Sequence, residues 1–200
     1  LIVILDYDAG NVMSVRNALA SLGSEAKVSR REMDIERSSA LILPGVGAFE
    51  CVSRIKRIEK AIINEIKEGK PFLGLCLGMQ LLFESSEESP GVMGLGVFKG
   101  KVKRLPNKKR FKVPQLGWNS IKIIRKCKLL GGIPDGAYFY FANSYAVTPS
   151  DTRIIVATST YGIKFPSVIC KENIFATQFH PEKSGEMGRR ILRNFVELVV

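Results

Sequence analysis

The order of apolar segments in the first eighty residues leaves few folds open. Leu1-Ile2-Val3-Ile4-Leu5 is an apolar run closed by Asp6, which has the length and composition of a buried strand. No basic segment precedes it, so it reads as a first core strand and not as a signal peptide. Asn11–Leu22 carries Val12, Val15, Leu19 and Leu22 on one helical face, and Gly23 ends that helix. Ala26–Val28 and Ala40–Leu43 predict short strands, the latter closed by Pro44-Gly45-Val46-Gly47. Phe49–Glu68 predicts one long helix with Ile55, Ile58, Ile62 and Ile66 on a face. Phe72–Leu75 predicts a strand and Leu77–Phe83 a helix. Strand and helix in strict alternation argue for an α/β fold, a mainly parallel sheet covered by helices on both faces.

The second half changes character. Val97–Leu105, Asn119–Ile124, Ala137–Phe141, Arg153–Thr160, Ser167–Lys171 and Ile174–Phe179 read as short strands broken by Gly, Pro and Asn. They predict an antiparallel extension of the sheet, and Gly188–Val199 predicts a closing helix with Ile191, Phe195 and Leu198 on one face. There is no repeat and no linker long enough to divide the chain, so residues 1–200 are expected to form a single domain. No apolar run approaches the roughly 18 residues of a membrane span.

The net charge of +11 raises the question of nucleic acid. Basic residues gather at Lys99 to Lys112, centred on Lys108-Lys109-Arg110, and at Lys122 to Lys128. No interleaved aromatics or zinc-finger spacing accompany them, so a solvated loop and strand edge is preferred to a nucleic-acid site. A basic face for a phosphorylated substrate or an acidic partner is a third reading. Cys51, Cys76, Cys127 and Cys170 form no CxxC pair, which argues against zinc, and their wide spacing suggests reduced thiols and a cytoplasmic location. Metal and cofactor are not expected.

Cys76 is set apart by its context. Gly74-Leu75-Cys76-Leu77-Gly78 places a thiol at a strand-to-helix turn, the cysteine form of a nucleophile elbow. The following helix would turn its N-terminus toward the sulfur, favouring the thiolate, and leave the Leu77 N–H free for an oxyanion. A cysteine nucleophile needs a base, and His180 is the only histidine. Glu182, two residues on, could orient that imidazole and complete a Cys-His-Glu triad. The Pro44-Gly45-Val46-Gly47 loop, at another strand end, could offer a second oxyanion donor. Each part taken alone has a bland explanation, but the combination has the parts an acyl-transfer site requires.

Pro71-Phe72-Leu73-Gly74-Leu75-Cys76-Leu77-Gly78-Met79-Gln80 and Thr177-Gln178-Phe179-His180-Pro181-Glu182 resemble the nucleophile and His-x-Glu motifs of class I glutamine amidotransferases. Further segments resemble the branch that serves histidine biosynthesis: Asp6-Tyr7-Asp8-Ala9-Gly10-Asn11, Leu43-Pro44-Gly45-Val46-Gly47-Ala48-Phe49, Leu116-Gly117-Trp118-Asn119, and Lys183-Ser184 after the glutamate. The resemblance covers nearly the whole chain and implies a flavodoxin-like fold. It also implies hydrolysis of glutamine to glutamate and ammonia by Cys76, His180 and Glu182. Leu77 and Gly47 would supply the oxyanion N–H groups, Gly47 after a rearrangement of its loop. Gln80, Glu88, Ser144 and Tyr145 would hold glutamine.

By the same resemblance, the partner is a HisF-type (β/α)8 cyclase in a heterodimer. It uses the ammonia to make imidazole glycerol phosphate and AICAR from PRFAR. Asn11, Trp118, Tyr138 and Lys183 would lie at or near that interface, with a helix cap and a core aromatic as the plain readings of Asn11 and Trp118. Gln115 and Asn143 stand where many members of this branch carry histidine. The competing expectations are a paralogue feeding another synthase, such as one forming amino sugars, and a docking subunit without turnover.

Overall fold

The computed structural model describes every residue except Lys109 and Val200. Lys109, at the centre of the basic cluster, therefore lies outside the described residues. The first strands are β1 (Ile2–Leu5), β2 (Ala26–Ser29), β3 (Ala40–Leu43) and β4 (Phe72–Leu75), separated by α1 (Val12–Ala20), α2 (Glu32–Arg37) and α3 (Glu59–Lys67). After α4 (Leu77–Leu81) come β5 (Phe83–Ser86), β6 (Phe98–Arg104), β7 (Gln115–Ser120) and β8 (Lys122–Ile123). Then follow β9 (Tyr138–Asn143), β10 (Tyr145–Pro149), β11 (Ile155–Tyr161), β12 (Ile163–Lys171), β13 (Ile174–Thr177) and α5 (Gly185–Glu197).

The main sheet has eight strands in the order β2-β1-β3-β4-β13-β12-β11-β8. From β2 to β13 neighbours are parallel, and from β13 to β8 they are antiparallel. The expected parallel sheet with an antiparallel extension is therefore present. Not all later strands join it: β10-β6-β5 form a second sheet and β7-β9 a third.

Strand alternation builds two cores. Val3 and Leu5 share one core with Ile62 and Ile66 of α3 and with Phe83 and Phe98, while Ile2 and Ile4 share the other with residues of α1 and α5. On α5 the buried stripe is Ile191, Leu192 and Phe195. Each such side chain contributes roughly 1.5–3 kcal/mol by leaving water.

Several expected boundaries move. Phe49–Glu68 is not one helix: Phe49–Ile55 is a 3-10 turn and α3 begins at Glu59. The apolar residues explain this. Phe49, Val52, Ile55 and Ile58 recur every three residues, the 3-10 period, and only from Ile58 through Ile62 to Ile66 is the step four. The helix after Cys76 ends at Leu81, because Phe83 enters β5. Asn119–Ile124 is not one strand: Ser120 ends the pairing of β7 with β9, and Lys122 begins the pairing of β8 with β11. No helix among the described residues is long and apolar enough to cross a membrane.

Candidate active site

The carboxyl ends of three adjacent parallel strands, β3, β4 and β13, carry the glycine loop, the thiol and the imidazole segment, where ligands of such sheets bind. Cys76 has φ 52° and ψ −104°, a conformation that costs a non-glycine residue about 1–3 kcal/mol. Its N–H is anchored by the Thr177 carbonyl at 2.8 Å, so β13 holds the strained turn in place. The turn also needs its glycines. A Cβ at Gly78 would overlap the Leu43 carbonyl oxygen, and one at Gly74 would sit 2.9 Å from the Gly78 carbonyl group.

Glu182 lies in a 3-10 turn, Pro181–Lys183, that follows β13, and His180 is the extended residue just before it. The imidazole Nδ1 lies 2.9 Å from Glu182 Oε1, with both side chains almost fully buried, at 3% and 2% exposure. With Nδ1–H donating to the carboxylate, Nε2 is the nitrogen left to take a proton. It has no hydrogen-bond partner among the described residues. The backbone around the ring is fixed by β9: His180 N–H donates to Tyr140 O at 2.9 Å, and the Ser184 hydroxyl donates to His180 O and accepts the Tyr140 N–H. Ser184 is a supporting residue whose role the sequence did not disclose.

Burial by itself lowers the basicity of His180. The Cys76 sulfur and the Glu182 carboxylate more than offset it, and the pKa rises to about 10. The folded value exceeds the ordinary 6.5, so protonated His180 stabilises the fold fully below about 6.5. That contribution is lost as pH climbs toward about 10. Urea unfolding near neutral pH and near pH 10 should show a loss of about 1 kcal/mol per pH unit that is missing in His180→Asn. Equal slopes in the two proteins would contradict this.

A cavity of about 200 Å³ brings together Gly47, Cys76, Leu77, Gln80, Glu88, Ser144, Tyr145, His180 and Lys183. Glu182 lies behind the imidazole. A larger cleft of about 700 Å³ runs along α5 beside Arg189, Arg190 and Arg193 and contains none of the expected site residues. Gln80 donates to the Tyr145 carbonyl at 3.1 Å and to Gln178 Oε1 at 3.2 Å. Both of its amide hydrogens are thus committed, and only its carbonyl oxygen remains to accept from a ligand. One Glu88 oxygen accepts the Phe49 N–H at 2.8 Å, tying the start of the 3-10 turn to the cavity wall.

The oxyanion expectation needs correction. The Leu77 N–H is not free but donates to the Gly45 carbonyl at 3.4 Å, so the glycine loop covers the donor it was expected to assist. Gly47, at φ 115°, adopts a backbone conformation that favours glycine. Tyr7, another residue without a sequence-based role, donates to Pro44 O at 2.7 Å and holds the start of this loop. Its hydroxyl is pushed to higher pKa by burial, then by the nearby Cys51 and Cys76.

Trp118 and Tyr138 are not in the cavity but on the β7–β9 ribbon, with 57% and 60% exposure, which rules out a core role for Trp118. Register places Leu116, Trp118, Tyr138 and Tyr140 on one ribbon face. Asn11 precedes α1 and makes no side-chain capping bond. Gln115 and Asn143 are cross-strand neighbours, both buried, each with a side-chain oxygen lacking a partner among the described residues. Among those residues, no three histidine, cysteine or acidic side chains form a metal-binding group.

Comparison with known proteins identifies the family. The family model "Glutamine amidotransferase class-I" matches residues 3–199. "Imidazole glycerol phosphate synthase subunit HisH" of Methanothermobacter thermautotrophicus is 45% identical over 200 residues, covering 100% of this chain and 99% of that protein. The protein of the same name from Pyrococcus furiosus is 48% identical, with 98% of each chain covered. Among solved structures, one described as a glutamine amidotransferase superposes with TM-score 0.77 at 22% identity, covering 98% of both chains. PurLQS from Thermotoga maritima gives TM-score 0.79 at 17% identity, covering 100% of this chain and 98% of that one. At those identities the structural likeness speaks for the fold alone.

Proposed function

From the premise that this chain belongs to the class I glutamine amidotransferase family, we propose that it is the glutaminase subunit of an imidazole glycerol phosphate synthase, acting in histidine biosynthesis. The observation that carries this reading is 45–48% identity to HisH subunits over essentially the whole chain. The eight-stranded sheet draws strands from Ile2 to Thr177, which supports treating residues 1–200 as one amidotransferase domain. A cytoplasmic location belongs to the same reading.

Cys76 Sγ adds to the side-chain carbonyl carbon of glutamine, and His180 Nε2 passes the proton to the departing nitrogen. Ammonia leaves and a glutamyl thioester remains. Water, deprotonated by the same nitrogen, adds to the thioester, releasing glutamate and the thiol. Glu182 keeps the imidazole in the tautomer this requires. The free backbone amides for the oxyanion are Leu77 and Gly47 once the loop moves, and the 3.4 Å Leu77–Gly45 contact is a weak bond to break. Gln80, Glu88, Ser144 and Tyr145 hold the substrate in the cavity they line.

The partner is a HisF-type (β/α)8 cyclase in a heterodimer, converting PRFAR to imidazole glycerol phosphate and AICAR. The exposed apolar face of β7–β9 supports docking there, because large side chains such as Leu116, Trp118 and Tyr138 are costly to leave in water. Lys183, which lines the cavity, and Asn11, which precedes α1, are assigned to positions at or near the same interface. Ammonia is mostly protonated in neutral water, so a sealed interface keeps it nucleophilic.

Glutamate release should be measured with the chain alone and with a HisF-type partner plus PRFAR or a stable analogue. Activity is expected with partner and ligand, and loss of at least about a thousandfold in Cys76→Ala. Cys76-dependent activity indifferent to the partner would transfer the chain to another synthase. Activity that survives Cys76→Ala would remove the triad.

A further inference from the structure

Gln178 is fully buried at the end of β13, and the sequence assigns it no task beyond its place in a motif. Its backbone is fixed by a bond from its N–H to the Ser167 carbonyl at 2.9 Å. Its side chain ends beside the thiol, with Nε2 at 3.7 Å from Cys76 Sγ.

The direction of that contact follows from its neighbours. The Tyr145 carbonyl can only accept, so the group of Gln80 that reaches it at 3.1 Å must be the amide NH2. The same NH2 reaches Gln178 at 3.2 Å, so Gln178 must present its oxygen there. The NH2 of Gln178 is then turned toward the sulfur. One main-chain carbonyl thus orients two buried amides in series, and each bond polarises the next. Besides the His180 imidazole, the sulfur meets the Ala142 carbonyl at 4.0 Å, which suits an S–H donor and cannot stabilise a thiolate.

We propose that Gln178 is a positioning residue for the nucleophile: its amide N–H, oriented by Gln80 and the Tyr145 carbonyl, holds the Cys76 sulfur in place and favours its thiolate form. The inference rests on the reading of Cys76 as the nucleophile. It has a consequence for substrate recognition. Gln80 lines the glutamine cavity and is also the middle link of the series, so whatever reorients Gln80 alters the donor at the sulfur.

The test is peptide-resolved alkylation of Cys76 by iodoacetamide across pH, on the full chain and on Gln178→Met, Gln178→Glu and Gln80→Met. Methionine fills similar volume without a donor, and glutamate keeps the shape while replacing the donor with a carboxylate. Loss of one hydrogen bond to a charged sulfur should slow alkylation at neutral pH about tenfold and move the curve to higher pH by about one unit. Gln80→Met should shift it the same way by less, since only the orientation is lost. A residue that merely fills space would leave the pH position unchanged, so curves for both Gln178 variants that coincide with the unaltered chain overturn the proposal. Should Gln178→Met fail to fold, Gln178→Glu supplies the comparison. Glutamine turnover with partner, measured alongside, separates the two readings: turnover that survives Cys76→Ala removes the nucleophile, whereas Cys76-dependent turnover with coincident curves removes only the role of Gln178.

Discussion

Exchange of Glu182 for glutamine is expected to lower glutamine hydrolysis about a thousandfold while leaving the fold and the thiol in place. The expectation comes from the buried contact between His180 Nδ1 and Glu182 Oε1 at 2.9 Å. A carboxylate there can only accept, so it demands the proton on Nδ1 and leaves Nε2 basic. A glutamine amide can turn its NH2 to Nδ1 and draw the proton to Nε2, the wrong tautomer for a base. It also removes one of the two groups that raise the imidazole pKa. Desolvation then acts with less opposition, and the protonated imidazole that must form on proton transfer becomes costlier. The measurement is glutamate release under partner-activated conditions, with the far-UV spectrum and thermal midpoint as controls on folding. A loss below tenfold would mean that Glu182 is dispensable for orienting the base.

Much of this site is written locally in the chain, and the part that is not depends on contacts between distant segments. The Gly74–Gly78 elbow is visible because a thiol at a strand-to-helix turn leaves a short-range signature, and Glu182 is visible because it lies two residues from His180. The fold's parallel half is legible for the same reason, each apolar run being bounded by its own turn. The 3-10 segment at Phe49–Ile55 was also present in the spacing, as a period of three that a helical reading passes over. By contrast, β10 follows β9 after Ser144 alone, too short a break to mark the change of sheet. α2 buries only Ile35 and so has no stripe to detect. That the Leu77 N–H is taken by Gly45, that Ser184 fixes the His180 backbone, and that Gln80 orients Gln178 are all tertiary contacts. Residue types alone could not reveal which donor meets which acceptor.

Gly78→Ala should be the most damaging single methyl group that can be added near the elbow. The added Cβ would occupy the space of the Leu43 carbonyl oxygen, which belongs to the backbone of β3 and cannot rotate away. Relief requires α4 to withdraw from β3, opening contacts around Leu77, Met79 and Leu81, which are all buried. Overpacking against fixed backbone costs about 3 kcal/mol or more, and at about 2–4 °C per kcal/mol for a chain of this size the thermal midpoint should fall by roughly 6–12 °C. Gly91→Ala provides the contrast. Gly91 has φ 84° but nothing within 4 Å of its Cβ position, so its cost is conformational alone, on the order of 1 kcal/mol. Calorimetry of the two variants therefore separates close approach from backbone strain as reasons for glycine. A Gly78→Ala midpoint no lower than that of Gly91→Ala would show that α4 can shift freely. In that case the packing of α4 on β3 could not be what holds Cys76 at φ 52°. If the midpoint falls as expected, the surviving folded fraction should also lose glutaminase activity, because retreat of α4 carries the Leu77 N–H away from the sulfur it follows in the chain.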